Sequence, residues 1–191
     1  MSAIPFGPSA LATPANAVTV ARVLVTPALL AIILDDGASW PALAFWVLLC
    51  LTDWVDGYLA RRQGVTRSGA FLDPLADKVL VLGALFALVA KGVFWWLPVA
   101  LIAVREVAIS VYRTVVGRQG ITVPARWWAK VKTVVQQLAV AFALLPAEDV
   151  VPLAKALLWA GVALAMVTGA QYLLDARRVS TEQLVPPADA V

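Results

Sequence analysis

Six apolar segments, each close to the length that crosses a lipid bilayer, constrain the fold of this chain more than any other feature. A transmembrane helix needs about 20 mostly apolar residues, and the segments cover residues 18–34, 41–61, 70–90, 95–116, 129–146 and 151–174. Charged residues make up only 14% of the chain, against about a quarter in a soluble domain. The sequence therefore predicts an all-α integral membrane protein with six transmembrane helices.

The two ends of the chain differ from the apolar segments. Residues 1–12 and 176–191 are predicted to be tails, and residues 13–175 a single membrane domain. In TPANAVTVAR, Pro14 and Asn16 suit a helix start, which predicts a short N-terminal interfacial helix before the first span. The polar final stretch VSTEQLVPPADAV contains prolines and is expected to be disordered.

The loops and chain ends on the two sides of the apolar segments differ in their number of basic residues. Eleven belong to one side: Arg22, Arg61, Arg62, Arg67, Arg113, Arg118, Arg126, Lys130, Lys132, Arg177 and Arg178. Only Lys91 and Lys155 belong to the other. Because cytoplasmic loops carry the excess of Lys and Arg, both termini and the loops near residues 65 and 122 are predicted to be cytoplasmic. Five tryptophans near segment ends resemble interface anchors: Trp40, Trp95, Trp96, Trp127 and Trp128.

Histidine is absent from the chain, and Cys50 is its single cysteine. These counts exclude histidine general bases, most zinc sites and an internal disulfide. Cys50 is expected to be a small buried apolar residue. Membrane topology and anionic lipid account for the net charge of +3, so the bilayer is a predicted partner and nucleic acid is not.

Four carboxylates lie where the second segment ends and the third begins, in DWVDGYLARRQGVTRSGAFLDPLADK. Asp53 and Asp56 are three residues apart and Asp73 and Asp77 four, so each pair shares one helix face. A short loop returns the third helix beside the second. We therefore expect all four acids to converge just inside the cytoplasmic boundary.

Converging carboxylates in a bilayer require compensating positive charge. Mg²⁺, Mn²⁺ or Ca²⁺ would supply it, and two ions would form a clamp for phosphoryl chemistry. The alternative is a set of interfacial salt bridges to nearby cations: Arg61, Arg62, Arg67 and Lys78. Three small residues leave room for a flat ligand or for close helix packing: Gly57, Ala60 and Gly69.

The pattern Asp53-x-x-Asp56-Gly57-x-x-Ala60-Arg61, then Gly69-x-x-x-Asp73-x-x-x-Asp77, resembles the signature of the CDP-alcohol phosphotransferase family. Seven residues separate Arg61 from Gly69, one fewer than in many members. The resemblance covers roughly residues 13–175. It implies six spans with cytoplasmic termini and a homodimer, and we expect a bacterial plasma membrane with the active site at the cytoplasmic side.

The same resemblance implies roles for individual residues. Asp53, Asp56, Asp73 and Asp77 would bind two divalent cations, with Mg²⁺ expected and Mn²⁺ as the alternative. Asp77 would also be the catalytic base that deprotonates the attacking alcohol, and CMP would leave. The residues implied on the nucleotide and CDP-lipid side are Gly57, Ala60, Arg61, Gly69, Asn16 and Thr19, with Arg22 at the border of the cavity.

A second polar stretch, REVAISVYRTVVGRQGITVPARWWAKVKT, begins inside the fourth segment. Charges within transmembrane segments are rare and usually functional. Arg105 and Arg113 share a helix face, and with Lys130 and Lys132 they form a cationic cluster that suits a phosphorylated acceptor. The alternatives are a buried Arg105–Glu106 structural pair and ordinary loop charges for the two lysines.

The patterns R-E-x-x-x-S-x-x-R and K-x-K-T-x-x-Q, together with PANAVTVARVLVTP and LDPLADK, resemble the phosphatidylglycerophosphate synthases of this family. The resemblance implies CDP-diacylglycerol and sn-glycerol 3-phosphate as substrates. It also implies that the acceptor phosphate is held by Arg105, Arg113, Lys130 and Lys132.

Rival functions remain open at this point. Within the family they are a cardiolipin synthase that uses phosphatidylglycerol and a member that uses inositol phosphate. A cation-binding transporter is the rival outside it, although transporters usually place their ion site near the bilayer midplane. A structural membrane adaptor is a further alternative.

Overall fold

The structure is a bundle of helices. The computed structural model describes the backbone of residues 14–63, 69–118 and 127–184. These residues form α1 (Pro14–Asp36), α2 (Trp40–Gln63), α3 (Gly69–Ala90), α4 (Trp96–Arg118), α5 (Trp127–Leu144), a 3-10 helix (Glu148–Val150) and α6 (Val151–Leu184). Within them, the side chains of residues 14–16, 53–63, 69–74, 113, 116–118, 129, 173 and 175–184 lie outside the description.

Each predicted apolar segment coincides with one α-helix, and the differences lie near the chain ends. Residues 14–36 form one unbroken helix, so the stretch expected to be a separate interfacial helix is the first part of α1. Proline at the first helical position does not interrupt a helix. At the other end α6 continues to Leu184, so residues 176–184 of the expected tail are helical. Arg, Glu, Gln and Leu favour helix there, and the helix ends two residues before Pro186.

Tight turns close one end of the bundle. Gly37 (φ 68°) follows α1, and Gly92 (φ 73°) follows α3. Gly37 N–H donates to Ile33 O at 3.0 Å, and the Ser39 hydroxyl accepts from Ala42 N–H at 3.4 Å to cap α2. Helices joined by such short turns run antiparallel. We call this end the Gly92 end, and the opposite end, where α2 finishes and α3 starts, the Asp77 end.

The buried core is apolar and draws on all six α-helices. Its fully buried members include Leu29, Trp46, Leu88, Ile102, Val140 and Leu158, one from each helix. The Trp46 indole N–H donates to Gln137 O at 3.2 Å, so its polar atom is satisfied inside the core. Helices α5 and α6 share the largest interface, and α1 packs on both α2 and α3. Cys50 is partly buried against this core.

The outer surface of the bundle is also apolar. Large exposed hydrophobic side chains occur along every α-helix, among them Leu24, Leu48, Phe86, Val104, Leu138 and Val167. Among the described residues, Ala17–Asp36 and Glu148–Tyr172 are long and apolar enough to cross a membrane, and only 28% of each window is buried inside the protein. The five predicted anchor tryptophans are exposed at or next to helix starts. This apolar exterior is typical of a protein embedded in lipid.

Candidate active site

The four predicted metal ligands fall near the junction of α2 and α3. Asp53 and Asp56 lie in the last three turns of α2, and Asp73 and Asp77 in the first three turns of α3. Both stretches are helical, as the spacing argument requires. Asp77 is partly buried. The side chains of the other predicted site residues around it lie outside the described residues: Asp53, Asp56, Asp73, Gly57, Ala60, Arg61, Gly69, Arg113 and Asn16.

A cluster of buried charges joins α4 and α5, and we call it the Glu106 cluster: Arg105, Glu106 and Lys132. Glu106 Oε1 accepts a hydrogen bond from Arg105 Nη1 at 2.8 Å and another from Lys132 Nζ. The side chains of Arg105, Glu106 and Lys132 are 12%, 10% and 6% exposed, respectively. Two cations share one carboxylate, so the cluster keeps an excess positive charge. In a weakly polar setting such an excess attracts an anion.

Helix α6 fixes the orientation of the Arg105 guanidinium. Its Nε donates to Ala165 O at 3.0 Å and its Nη2 to the Thr168 hydroxyl at 3.0 Å. A Cβ at Gly169 would lie 3.2 Å from Arg105 Nε, so the glycine leaves the space that the guanidinium occupies. Thr168 and Gly169 were not predicted from the sequence. The sequence feature that could have indicated them is a hydroxyl residue followed directly by a glycine within an apolar helix.

Of the two sequence interpretations of Arg105, the buried pair with Glu106 is present. It does not exclude phosphate binding. A guanidinium has five N–H donors, and three donor atoms bond to protein here. The protein contacts hold the group in one orientation, which lowers the entropy lost when it binds an anion.

A chain of hydrogen bonds connects the start of α3 to the Glu106 cluster. Lys78 Nζ donates to the Ser110 hydroxyl, and that hydroxyl donates to Glu106 O at 2.6 Å. Asp77 directly precedes Lys78 on α3, and Lys132 binds the side chain of Glu106. The predicted catalytic base is therefore adjacent in the chain to a lysine that is hydrogen-bonded to α4, the helix that carries Arg105 and Glu106.

Other predicted residues are separated by burial. Lys132 is buried, whereas Lys130, two residues earlier on α5, is exposed on a different face. On α1, Thr19 and Arg22 are both buried, and Arg22 O accepts a hydrogen bond from the Thr26 hydroxyl at 2.8 Å. A buried arginine in an apolar helix carries a large desolvation cost. Its presence is in keeping with a polar interior rather than a purely lipid-facing helix.

Asp77 allows one test of whether a divalent cation fits this region. A carboxylate is the oxygen donor that Mg²⁺ prefers, and Asp77 is partly buried next to Lys78, which hydrogen-bonds to Ser110 on α4. Among the residues whose side chains are described, no three potential ligands come together. The other three aspartates are outside that set. The Asp77 carboxylate is a suitable ligand for a cation that is coordinated by oxygen atoms.

Comparison with known proteins supplies the family. The CDP-alcohol phosphatidyltransferase family model matches residues 12–167. A probable phosphatidylglycerophosphate synthase of Mycobacterium tuberculosis is 37% identical over 179 residues, covering 90% of this chain and 85% of the relative. CDP-diacylglycerol–glycerol-3-phosphate 3-phosphatidyltransferases of Bacillus subtilis and Escherichia coli K12 are 37% and 39% identical, covering 82% and 73% of this chain and 91% and 81% of the relatives. The chain belongs to the CDP-alcohol phosphatidyltransferase family, a family of integral membrane proteins.

Proposed function

We propose that this protein is a membrane phosphatidyltransferase of phospholipid biosynthesis. It transfers the phosphatidyl group of CDP-diacylglycerol to sn-glycerol 3-phosphate, and the products are phosphatidylglycerophosphate and CMP. The observation that carries the proposal is the Glu106 cluster, with its excess positive charge, which is connected through Ser110 and Lys78 to the start of α3, where Asp77 lies. A soluble acceptor that already carries a phosphate is the substrate this arrangement suits. The relatives named for this reaction span most of the chain.

The acceptor phosphate binds to Arg105 and Lys132, which α6 and Glu106 hold in place. Arg113 and Lys130 are proposed as further ligands. Charge-assisted bonds from guanidinium and ammonium groups to phosphate are among the strongest in proteins. This binding orients the acceptor hydroxyl toward Asp77.

Asp77 then accepts the proton of the acceptor hydroxyl as the hydroxyl oxygen attacks the lipid-linked phosphorus of the donor. A new phosphorus–oxygen bond forms, and the bond between that phosphorus and the CMP oxygen breaks. General base catalysis of this kind contributes about 10²–10⁴-fold to the rate.

Two divalent cations, Mg²⁺ first and Mn²⁺ second, are proposed at Asp53, Asp56, Asp73 and Asp77. When bound, the two cations would neutralise the negative charge of the diphosphate and of the leaving phosphate. The proposed nucleotide and CDP-lipid side is formed by Gly57, Ala60, Arg61, Gly69, Asn16 and Thr19, with Arg22 at its border.

The proposed setting is the bacterial plasma membrane, with six spans and with both termini and the Asp77 end in the cytoplasm. The distribution of basic residues supports this orientation, and it gives glycerol 3-phosphate direct access from the cytosol. A homodimer is proposed as the assembly.

An acceptor screen tests the function. Purified protein in nanodiscs receives CDP-diacylglycerol and Mg²⁺, and CMP release is followed with glycerol 3-phosphate, phosphatidylglycerol or inositol phosphate. We expect release with glycerol 3-phosphate alone, and its loss in Asp77→Asn but not in Asp35→Asn at the Gly92 end. Release with phosphatidylglycerol alone would make the protein a cardiolipin synthase. No release from folded protein with any of the three would refute the phosphatidyltransferase.

A further inference from the structure

A cavity of about 380 Å³ opens at the Gly92 end, far from the residues of the proposed reaction. It lies between the turn that follows α3, the start of α4 and the first turns of α6. Its lining includes Val93, Phe94, Trp95, Lys155, Leu158 and Trp159. From Asp77 to Gly92 the chain advances along α3 by about 20 Å, so the two regions lie at opposite membrane interfaces. The proposed function assigns the cavity no role.

The wall of the cavity is fixed by a capped helix end. Gly92 N–H donates to Val89 O at 2.9 Å and Val93 N–H donates to Leu88 O at 3.0 Å, the paired bonds of a Schellman motif. Phe94 is buried behind the turn. The capped turn therefore makes this wall of the cavity preformed. The volume of the cavity is within the usual range of about 300–1,000 Å³ for small-ligand sites.

The chemistry of the lining combines one cation with apolar and aromatic groups. Lys155 is the one charged residue of the lining, and Trp159 follows it by one helical turn on the same face. Among the described residues, Lys155 makes neither an ion pair nor a hydrogen bond through its ammonium group. Trp95 and Trp159 are both substantially exposed, and tryptophan is enriched at the headgroup level of membranes.

We propose that this cavity binds the headgroup of an anionic phospholipid from the leaflet at the Gly92 end. The phosphate bonds to Lys155, and the glycerol and first acyl carbons lie along Trp95, Leu158 and Trp159. A net negative headgroup complements the single cation of the lining, whereas a zwitterionic headgroup would bring a positively charged ammonium group beside Lys155. A free phosphate ion would leave the aromatic walls uncovered, so a lipid matches the lining better.

Native mass spectrometry of the purified, delipidated protein tests the site with dioleoyl phosphatidylglycerol as the probe. Anionic lipid also binds elsewhere on a membrane protein, so the measurement is the change in affinity caused by Lys155→Gln. We expect that change to be at least about tenfold, the effect of losing one charge-assisted bond. The matched control is Lys91→Gln, an exposed lysine at the same end outside the lining, which should stay within about twofold of the parent.

A second variant tests the cavity itself. Val93→Trp places a large side chain in the space and should lower phosphatidylglycerol binding as much as Lys155→Gln does. Equal affinity of the parent and both variants would overturn the proposal. So would phosphatidylcholine binding that matches phosphatidylglycerol binding and falls equally in Lys155→Gln. Competition by millimolar glycerol phosphate as effective as competition by the lipid would assign the site to a free phosphate and also overturn it.

Discussion

The Glu106 cluster and the Gly92 end are stabilised in different ways. In the cluster, charged side chains are buried, and each avoids a large desolvation cost only because it has specific partners. At the Gly92 end, apolar side chains such as Leu88 and Ile33 are fully buried, and backbone hydrogen bonds close the turns. In lipid, apolar burial gains little transfer energy because separated helices are already in an apolar solvent. The apolar end therefore depends on close packing, and the charged region on exact pairing of partners. Substitutions in the two regions should have different consequences.

Glu106→Gln should produce the largest effect, because it leaves Arg105 and Lys132 buried without their shared carboxylate. Breaking a buried ion pair costs about 3 kcal/mol, so the free energy of unfolding should fall by that amount. The KM for glycerol 3-phosphate should rise about tenfold, equivalent to about 1.4 kcal/mol of binding, because Lys132 loses the carboxylate that positions it, while the KM for CDP-diacylglycerol changes little. Initial rates of CMP release and thermal melting in detergent measure both effects.

The control for this variant is Glu148→Gln, an exposed glutamate in the 3-10 helix, which should change neither quantity. A loss of stability with an unchanged KM for glycerol 3-phosphate would show that the Glu106 cluster is structural only. That outcome would remove the functional side of the comparison.

Leu88→Ala should destabilise without altering catalysis. Leu88 is fully buried in the core, and its truncation leaves a cavity. We expect a loss of about 2 kcal/mol, below the usual range for soluble proteins because the transfer contribution is absent in lipid. The rate per folded molecule should stay the same. Leu48→Ala, a lipid-facing leucine on α2, serves as the control and should be nearly neutral. A changed KM for glycerol 3-phosphate in Leu88→Ala would show that the Gly92 end and the Glu106 cluster are coupled.

The sequence predicted the helices well because each is marked along the chain by its own length and hydropathy. The prediction that Asp53 and Asp56, and likewise Asp73 and Asp77, share one helix face also requires only local helical periodicity. The support for Arg105 could not be predicted in this way. Ala165 and Thr168 lie about 60 residues further along the chain, and their meeting with Arg105 depends on how α4 packs against α6.

Burial was the other quantity that the local sequence did not reveal. Lys130 and Lys132 are alike in type and neighbourhood, and both were predicted as phosphate ligands. Only Lys132 is buried against Glu106, because the face of α5 that turns inward is chosen by its neighbours. The extension of α6 to Leu184 was missed for a different reason: polarity indicates exposure to water and does not exclude helix.

Gly169→Ala tests the Glu106 cluster by adding a single methyl group beside Arg105. The added Cβ would lie 3.2 Å from Arg105 Nε, so the guanidinium has to shift by a few tenths of an ångström. We expect the KM for glycerol 3-phosphate to rise by about threefold, since misplaced charge-assisted bonds lose part of their energy. The matched control is Gly161→Ala on the same helix, whose Cβ would meet Gln136 Cγ at 3.0 Å. That variant should lower thermal stability and leave the KM unchanged. Equal KM changes in both would indicate a general shift of α6 and not a local effect on Arg105.

Gly92→Ala should have a small effect that is confined to stability, and it isolates the backbone contribution at the apolar end. A Cβ at Gly92 would meet nothing within 4 Å, so crowding plays no part. The positive φ of 73° remains, and it costs an alanine about 1 kcal/mol. Melting temperatures should therefore fall slightly in Gly92→Ala and about half as far in Gly92→Asn, because asparagine tolerates the left-handed region. Rates and both KM values should match the parent, since the turn is remote from Asp77. An unchanged melting temperature in Gly92→Ala would show that the Schellman turn opens at little cost, and the Gly92 end would then owe its stability to side-chain packing alone.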